Sequence, residues 1–126
     1  MRQTRLYLAG PMRGIPKFNF PAFHAAAAAL RARGYRVFSP AEFDDIFGEK
    51  ELDITGYVMT HPIHSYIRRD VHVIINELEP NTADGIVMLP GWSESLGASA
   101  EVHLAAWCEL KQYKLEDLVH GIADRP

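Results

Sequence analysis

The sequence predicts an α/β domain: a small parallel sheet with helices on both faces. Two observations carry this. Short apolar runs alternate with longer stretches of helical periodicity, in the order β-α-β-α-β-α. Each apolar run also stops at a Gly-Pro, Ser-Pro or Pro-Gly pair, as loop chemistry beyond a strand requires. Strands joined through helices run parallel, because the helix carries the chain back along the sheet.

Arg5 to Ala9 is the first apolar run and reads as a buried strand, closed by Gly10-Pro11. The loop 10–17 that follows holds Pro and Gly at both ends of Met12-Arg13. Phe20, Phe23, Ala27 and Leu30 then recur at helical spacing. Pro21 suits the first turn of that helix, the alanines at 25–29 are strong helix formers, and Gly34 supplies the stop. Tyr35 to Phe38 is the second strand, ended by Ser39-Pro40.

Residues 41–60 are acidic, with Asp44, Asp45, Glu49, Glu51 and Asp53, and read as a surface segment with a short helix and a turn at Gly48. Thr60-His61-Pro62 starts the next helix, whose apolar stripe is Ile63, Ile67, Val71, Ile74 and Leu78 and whose end is Pro80-Asn81. Asp84 to Leu89 is the third strand, stopped by Pro90-Gly91. A further helix runs from Ser95–Gly97 to about Leu110, and Gln112 to Leu115 reads as a short fourth strand before a weakly structured tail. In such sheets ligands bind beyond the carboxyl ends of the strands, where the strand order switches. The loops 10–17 and 90–97 belong there.

With 126 residues, the chain makes one domain, 1–126, long enough to bury a core unaided. The composition, 48% hydrophobic and 23% charged, is ordinary for a globular protein. A formal charge of −3 gives no basic field for nucleic acid. Cys108 is the sole cysteine, which excludes intramolecular disulfides and multi-cysteine zinc sites and fits a reducing, cytoplasmic setting. No apolar run approaches the roughly 20 residues of a membrane span. The start enters a strand directly and does not read as a signal peptide. His61 and His64 sit three apart near a helix start, with His72 further along, but no third ligand converges on the pair, so no metal site is expected.

Two carboxylates fall where apolar residues belong. Asp70 is three residues after Ile67 and four before Ile74, and Glu101 shares a helix face with Ala98, Ala105 and Cys108. Buried carboxylates are rare unless paired or put to use. The plain reading of each is a polar cleft edge or a pair with Arg68 or Arg69. For two together near the active end of the sheet, the better reading is a pair that cleaves a glycosidic bond. Glu101, near a helix start, is expected ionised by the helix dipole and so suited to be the nucleophile. Asp70, deeper in its helix, is expected protonated by desolvation and so suited to be the proton donor.

The loop Gly91 to Gly97 offers an anion site: free N–H groups at a helix start, hydroxyls on Ser93 and Ser95, and a small residue, Gly97, for close approach. Plain N-capping by a serine is the competing reading. Trp92 either stacks on a base or covers the core edge. The Tyr7 phenol either belongs to the core or reaches the cleft, and Cys108 reads as core.

Four motifs in order, Tyr7-Leu-Ala-Gly-Pro-Met-Arg-Gly14, Arg69-Asp70, Ala83-Asp84 ahead of a strand, and Ser95-Leu-Gly-Ala-Ser-Ala-Glu101, resemble the nucleoside 2-deoxyribosyltransferase superfamily over about residues 4–110. The stretch Leu89 to Ala98 resembles a branch common in phages and prophages. The Ser-Leu-Gly-x-x-x-Glu spacing resembles the 2′-deoxynucleoside 5′-phosphate N-hydrolases. The resemblance implies a flavodoxin-like three-layer α/β/α fold with a small parallel sheet, and a homodimer or larger assembly. It implies that Glu101 attacks C1′ of deoxyribose, that Tyr7 holds the Glu101 carboxylate by a hydrogen bond, and that Asp70 contacts the sugar or protonates the leaving base. Ser95 would bind the 5′-phosphate, with help from Gly10, Pro11, Met12, Arg13 and Gly14. No metal or organic cofactor is implied.

The expected activity is cleavage, by hydrolysis or base transfer, of the N-glycosidic bond of a 2′-deoxynucleoside 5′-monophosphate or a 2′-deoxynucleoside, through a covalent glycosyl-glutamate. Two alternatives stand beside it: a non-catalytic protein that sequesters a nucleotide, and a glycosidase acting on a ribose-nicotinamide nucleotide.

Overall fold

A computed structural model describes residues 2–46 and 63–123. Within them, β1 (Arg5–Ala9), β2 (Arg36–Phe38), β3 (Gly85–Met88) and β4 (Lys111–Lys114) form one sheet. Every pairing is parallel and the order is β2-β1-β3-β4. The helices are α1 (Phe20–Ala32), α2 (Pro40–Ile46), α3 (Ile63–Glu77), α4 (Leu96–Trp107) and α5 (Leu115–Ala123). The result is a three-layer α/β/α fold whose strand order is that of flavodoxin-like sheets.

The period of two along β1 divides the core. Leu6 and Leu8 point to one face and pack with Phe23, Ala27 and Leu30 of α1 and with Leu118 and Val119 of α5. Tyr7 and Ala9 point to the other face and pack with Val73 and Ile74 of α3 and with Ala98, Val102 and Ala105 of α4. The chain moves from β1 outward to β2, then crosses back to β3 on the other side of β1. The strand order therefore switches between β1 and β3, under α3 and α4. Close approach is required at two glycines. A side chain on Gly85 would meet the Lys111 carbonyl oxygen at 2.2 Å, and one on Gly10 would meet the Leu89 side chain at 2.9 Å. Among the described residues, no helix is long and apolar enough to cross a membrane.

The first helix, the four strands and α4 lie where the sequence predicts them, within a few residues at their ends. Three expectations are corrected. The stripe of α3 is rotated: Tyr66, Val73, Ile74 and Leu78 are buried, whereas Ile67 is 53% exposed. Ser39-Pro40, read as a stop after the second strand, is also a start. Pro40 opens α2, where a fixed φ and a missing N–H cost nothing. The rest of the acidic segment, including Gly48 and the Thr60-His61-Pro62 helix start, lies outside the described residues. The tail after β4 is helical as far as Ala123, because Leu115, Leu118 and Val119 recur at i, i+3 and i+4 and dock against the α1 face.

Asp84, at the entry to β3, anchors the amino-terminal edge of the sheet. Its buried carboxylate accepts from Arg2 (Nη1 to Oδ1 3.0 Å, Nη2 to Oδ2 2.7 Å) and from the backbone N–H groups of Arg5 (2.8 Å) and Glu79 (3.0 Å). Burial alone would push this carboxyl up, but Arg2 and the two N–H groups outweigh it and hold it below the usual aspartate value. Asp84→Ala is therefore expected to cost about 2–4 kcal/mol in urea denaturation at neutral pH, since it strands two buried N–H groups and an arginine. A carboxyl with a lowered folded-state pKa stabilises fully above its unfolded value of about 3.9, and that stability is lost as pH falls through the folded value. The gap between Asp84→Ala and wild type should accordingly narrow in acid. A constant gap at all pH values would show that the carboxylate's charge contributes nothing.

Candidate active site

Tyr7, Asp70 and Glu101 come together at the strand-order switch. Tyr7 stands in the middle of the central strand, fully buried on the α3/α4 side. Its hydroxyl donates to Glu101 Oε2 at 2.6 Å. Asp70 takes a core-facing position on α3, one turn after buried Tyr66 and one before buried Val73 and Ile74. Glu101 sits on α4 between buried Ala98 and buried Val102 and Ala105. The small alanines let α4 lie close to β1 and bring the glutamate over the tyrosine. The Asp70 carboxyl is close enough to Tyr7 and Glu101 for each to act on its protonation. The Tyr7 phenol thus serves the polar cluster and the core at once.

Burial raises Asp70, as the sequence predicts, but it raises Glu101 too, against the dipole expectation. Burial, and then the charge of Asp70, push the Glu101 carboxyl up to about 8. Glu101 is in the second turn of α4, and the dipole's pull on an anion fades within the first turn. Burial pushes Asp70 up as well, but Arg69 opposes it by charge and by hydrogen bonds. Arg69 Nε and Nη2 reach Asp70 Oδ1 at 2.8 and 2.7 Å. Two neighbouring carboxyls, both pushed up by burial, therefore hold their protons as a pair. Burial first, and then Glu101 and Asp70, raise the Tyr7 phenol well above its ordinary value, so it remains a hydrogen-bond donor throughout.

The two predicted loops meet beside this cluster. Pro11 lies 3.2 Å from where a Gly91 side chain would begin, and Gly10 packs on Leu89. The Asn19 side chain donates to the Pro11 carbonyl at 3.0 Å, from a left-handed stretch over Lys17, Phe18 and Asn19 (φ 58°, 50° and 61°). Met12 turns against the α1-side core, and Arg13 and Gly14 are exposed. Trp92 packs against the α3/α4-side core while half-exposed, which favours the core-edge reading, and Cys108 packs there too. Ser95 is the N-cap of α4: its Oγ accepts from the Ala98 N–H at 3.2 Å, which leaves its own O–H to donate. Gly97 opens onto free space. Ser93 is exposed, and its carbonyl and that of Trp92 accept from the Ser99 hydroxyl at 3.3 and 3.2 Å. Ser99, which sequence reasoning passed over, thereby pins the loop to the helix that carries Glu101.

A cleft of about 480 Å³ opens at the carboxyl ends of β3 and β4, lined by Trp92, Ser93, Glu94, Lys114 and Leu115 among others. It shares Trp92 and Ser93 with the predicted loop, but none of Tyr7, Asp70 and Glu101 lines it.

A family model described as a domain of unknown function, DUF4406, matches residues 4–113. The chain belongs to the DUF4406 family. The match runs from the approach to β1 into β4 and takes in Tyr7, Asp70, Ser95 and Glu101. No curated protein matches this DUF4406 domain, and no solved structure does.

Proposed function

We propose that this DUF4406 domain breaks the N-glycosidic bond of a 2′-deoxynucleoside 5′-monophosphate or 2′-deoxynucleoside through a glycosyl ester on Glu101. The observation that carries the reading is the buried contact of Tyr7, Asp70 and Glu101. Two carboxyls that share a proton beside a fixed phenol donor can both attack a sugar carbon and protonate its leaving group.

The proton on Glu101 gives the sequence of steps. As the nucleotide enters, that proton passes to Asp70, and Glu101 becomes the anion. A Glu101 oxygen bonds to C1′ while the bond from C1′ to the base nitrogen breaks, and Asp70 delivers the proton to the departing base. Tyr7 holds the attacking carboxylate in line. Water or a second base then attacks C1′, frees Glu101 and returns a proton to the pair. A homodimer or larger assembly in a cytoplasmic setting belongs to the same reading. Leu96 and Trp107, 90% and 85% exposed on α4, are apolar surface that a second copy would cover.

The decisive experiment incubates the protein with deoxynucleosides, their 5′-monophosphates and a ribose-nicotinamide nucleotide, with and without acceptor base, and follows free base by chromatography. Release without acceptor identifies a hydrolase, and release only with acceptor a transferase. Binding without release would replace this proposal with the nucleotide-sequestering alternative, and release of nicotinamide alone with the other.

Ser95 distinguishes nucleotide from nucleoside. It lies six residues before Glu101, about 9 Å back along the helix at roughly 1.5 Å per residue, a span that the five bonds from deoxyribose C1′ to its 5′-phosphorus cover together with a hydrogen bond of about 2.8 Å at the phosphate. Its free O–H and the open first turn at Gly97 suit a phosphate. Ser95→Ala is expected to lower kcat/KM for the monophosphate by the worth of a charge-assisted hydrogen bond, about 1.5–3 kcal/mol, and to leave the free nucleoside nearly unchanged. Equal losses on both substrates would reduce Ser95 to a helix cap and remove the monophosphate from the proposal.

A further inference from the structure

We propose that Arg69 is a positioning residue that favours Asp70 as the anion of the carboxylate pair, through a guanidinium clamped between Phe43 and Tyr66; its consequence for turnover rests on the glycosidic reading. The side chain does not extend into solvent as a helix-surface arginine usually does. It folds back on the next residue, and both Nε (2.8 Å) and Nη2 (2.7 Å) converge on the single oxygen Oδ1 of Asp70. The pair is nearly dry, with the two side chains 16% and 15% exposed. The guanidinium carbon stands 5.3 Å from the Phe43 ring centroid and 5.4 Å from that of Tyr66. Phe43 is itself backed by Phe38, ring centroids 6.5 Å apart, so α2 and the end of β2 supply one wall and α3 the other. Both aromatic faces attract the cation through their ring quadrupoles.

The electrostatic consequence follows from who faces whom. Among the described residues, the titratable or charged groups acting on Asp70 are Arg69 from its own helix, Tyr7 from β1 and Glu101 from α4. Only Arg69 carries a positive charge. By bonding Oδ1 it favours the charged Asp70 and opposes the burial that raises this carboxyl. An Asp70 that can exist as the anion can take a proton from Glu101 and pass it to the base. Without Arg69, burial would act on Asp70 unopposed and keep that position filled.

The test titrates the carboxyl carbons of the free protein by NMR in wild type, Arg69→Gln, Arg69→Lys and Phe43→Leu, with circular dichroism and melting as controls for folding. Because the carboxyls are coupled, the readout is the lower of the pair's two macroscopic steps. Arg69→Gln should raise that step by about one unit or more, a tenfold or greater gain in proton affinity. Arg69→Lys should restore much of the wild-type value, and Phe43→Leu should shift it in the same direction as Arg69→Gln by less. The acid limb of kcat/KM for base release should move up by the same factor. An unmoved lower step in folded Arg69→Gln would overturn the proposal, and so would an Arg69→Lys that titrates like Arg69→Gln. Should Arg69→Gln not fold, Arg69→Lys and Phe43→Leu decide it: wild-type titration by Phe43→Leu overturns the clamp, and no restoration by Arg69→Lys relative to Phe43→Leu overturns the role of the charge. The titration needs no substrate. A wild type that releases no base would therefore end the glycosidic reading and leave the titration result standing.

Discussion

Glu101→Ala is expected to abolish base release, on the order of 10⁴-fold or more, while the fold persists. The size follows from its role: no other group of the cluster stands where it can form the glycosyl ester, and loss of a nucleophile removes the whole covalent route. The fold persists because Glu101 is a partly buried acid flanked by buried Ala98, Val102 and Ala105, and a methyl group there is a smaller burden than a carboxyl. Tyr7 keeps its contact with Asp70. Glu101→Gln separates chemistry from charge. A carboxyl with a raised folded-state pKa binds its proton more tightly when folded. Wild type should therefore lose stability as pH rises from the unfolded glutamate value, about 4.3, through about 8. Glu101→Gln removes that slope, so its melting temperature should exceed that of wild type increasingly toward alkaline pH. Mass spectrometry of wild type quenched during turnover should show the deoxyribosyl adduct on the peptide containing Glu101, absent from both variants. Normal turnover by a folded Glu101→Ala would end the mechanism.

Asp70→Asn should lower base release by about 10²–10⁴-fold, and most for bases that leave poorly without a proton. Asparagine keeps an oxygen for Arg69 and so spares the fold the cost of an unpaired, nearly buried guanidinium, which Asp70→Ala would impose. It cannot relay a proton from Glu101 to the base. A base that departs readily unprotonated should suffer least, so the ratio of losses between good and poor leaving groups is the measurement. Equal losses across the series would make Asp70 a sugar-binding residue and return the proton donor to another group.

Much of the site was legible as misplaced polarity. Asp70 and Glu101 each interrupt an apolar helix face, and a carboxylate there needs a partner or a task. The stripe that located Asp70 was itself misread. Ile63, Ile67 and Val71 form a plausible face, yet Ile67 is half in water, and Tyr66, which the reading omitted, is the buried residue one turn before Asp70. Periodicity finds that a helix is amphipathic more securely than which of two adjacent stripes faces inward, because the two differ by only about 100° of rotation. The α5 helix was missed although Leu115, Leu118 and Val119 carry the helical repeat. The arginine pairing was open between Arg68 and Arg69, and packing against Phe43 and Tyr66 selected Arg69.

By itself the sequence determined the parallel α/β architecture, the loops that end β1 and β3, and the two misplaced carboxylates, and it left Tyr7 open between core and cleft. Those depend on local rules: strand runs, helical repeats, Gly and Pro at turns, and acids where apolar residues belong. Only the tertiary structure decided that burial pushes the Glu101 carboxyl up and that Arg69 opposes the same push on Asp70. That depends on how deeply α4 buries Glu101, on the distance from Glu101 to an Asp70 thirty-one positions away in sequence, and on the ring faces that turn Arg69 back onto Asp70. Desolvation and Coulomb energy depend on distances through space and on the exclusion of water, and neither quantity exists until the helices have packed on the sheet.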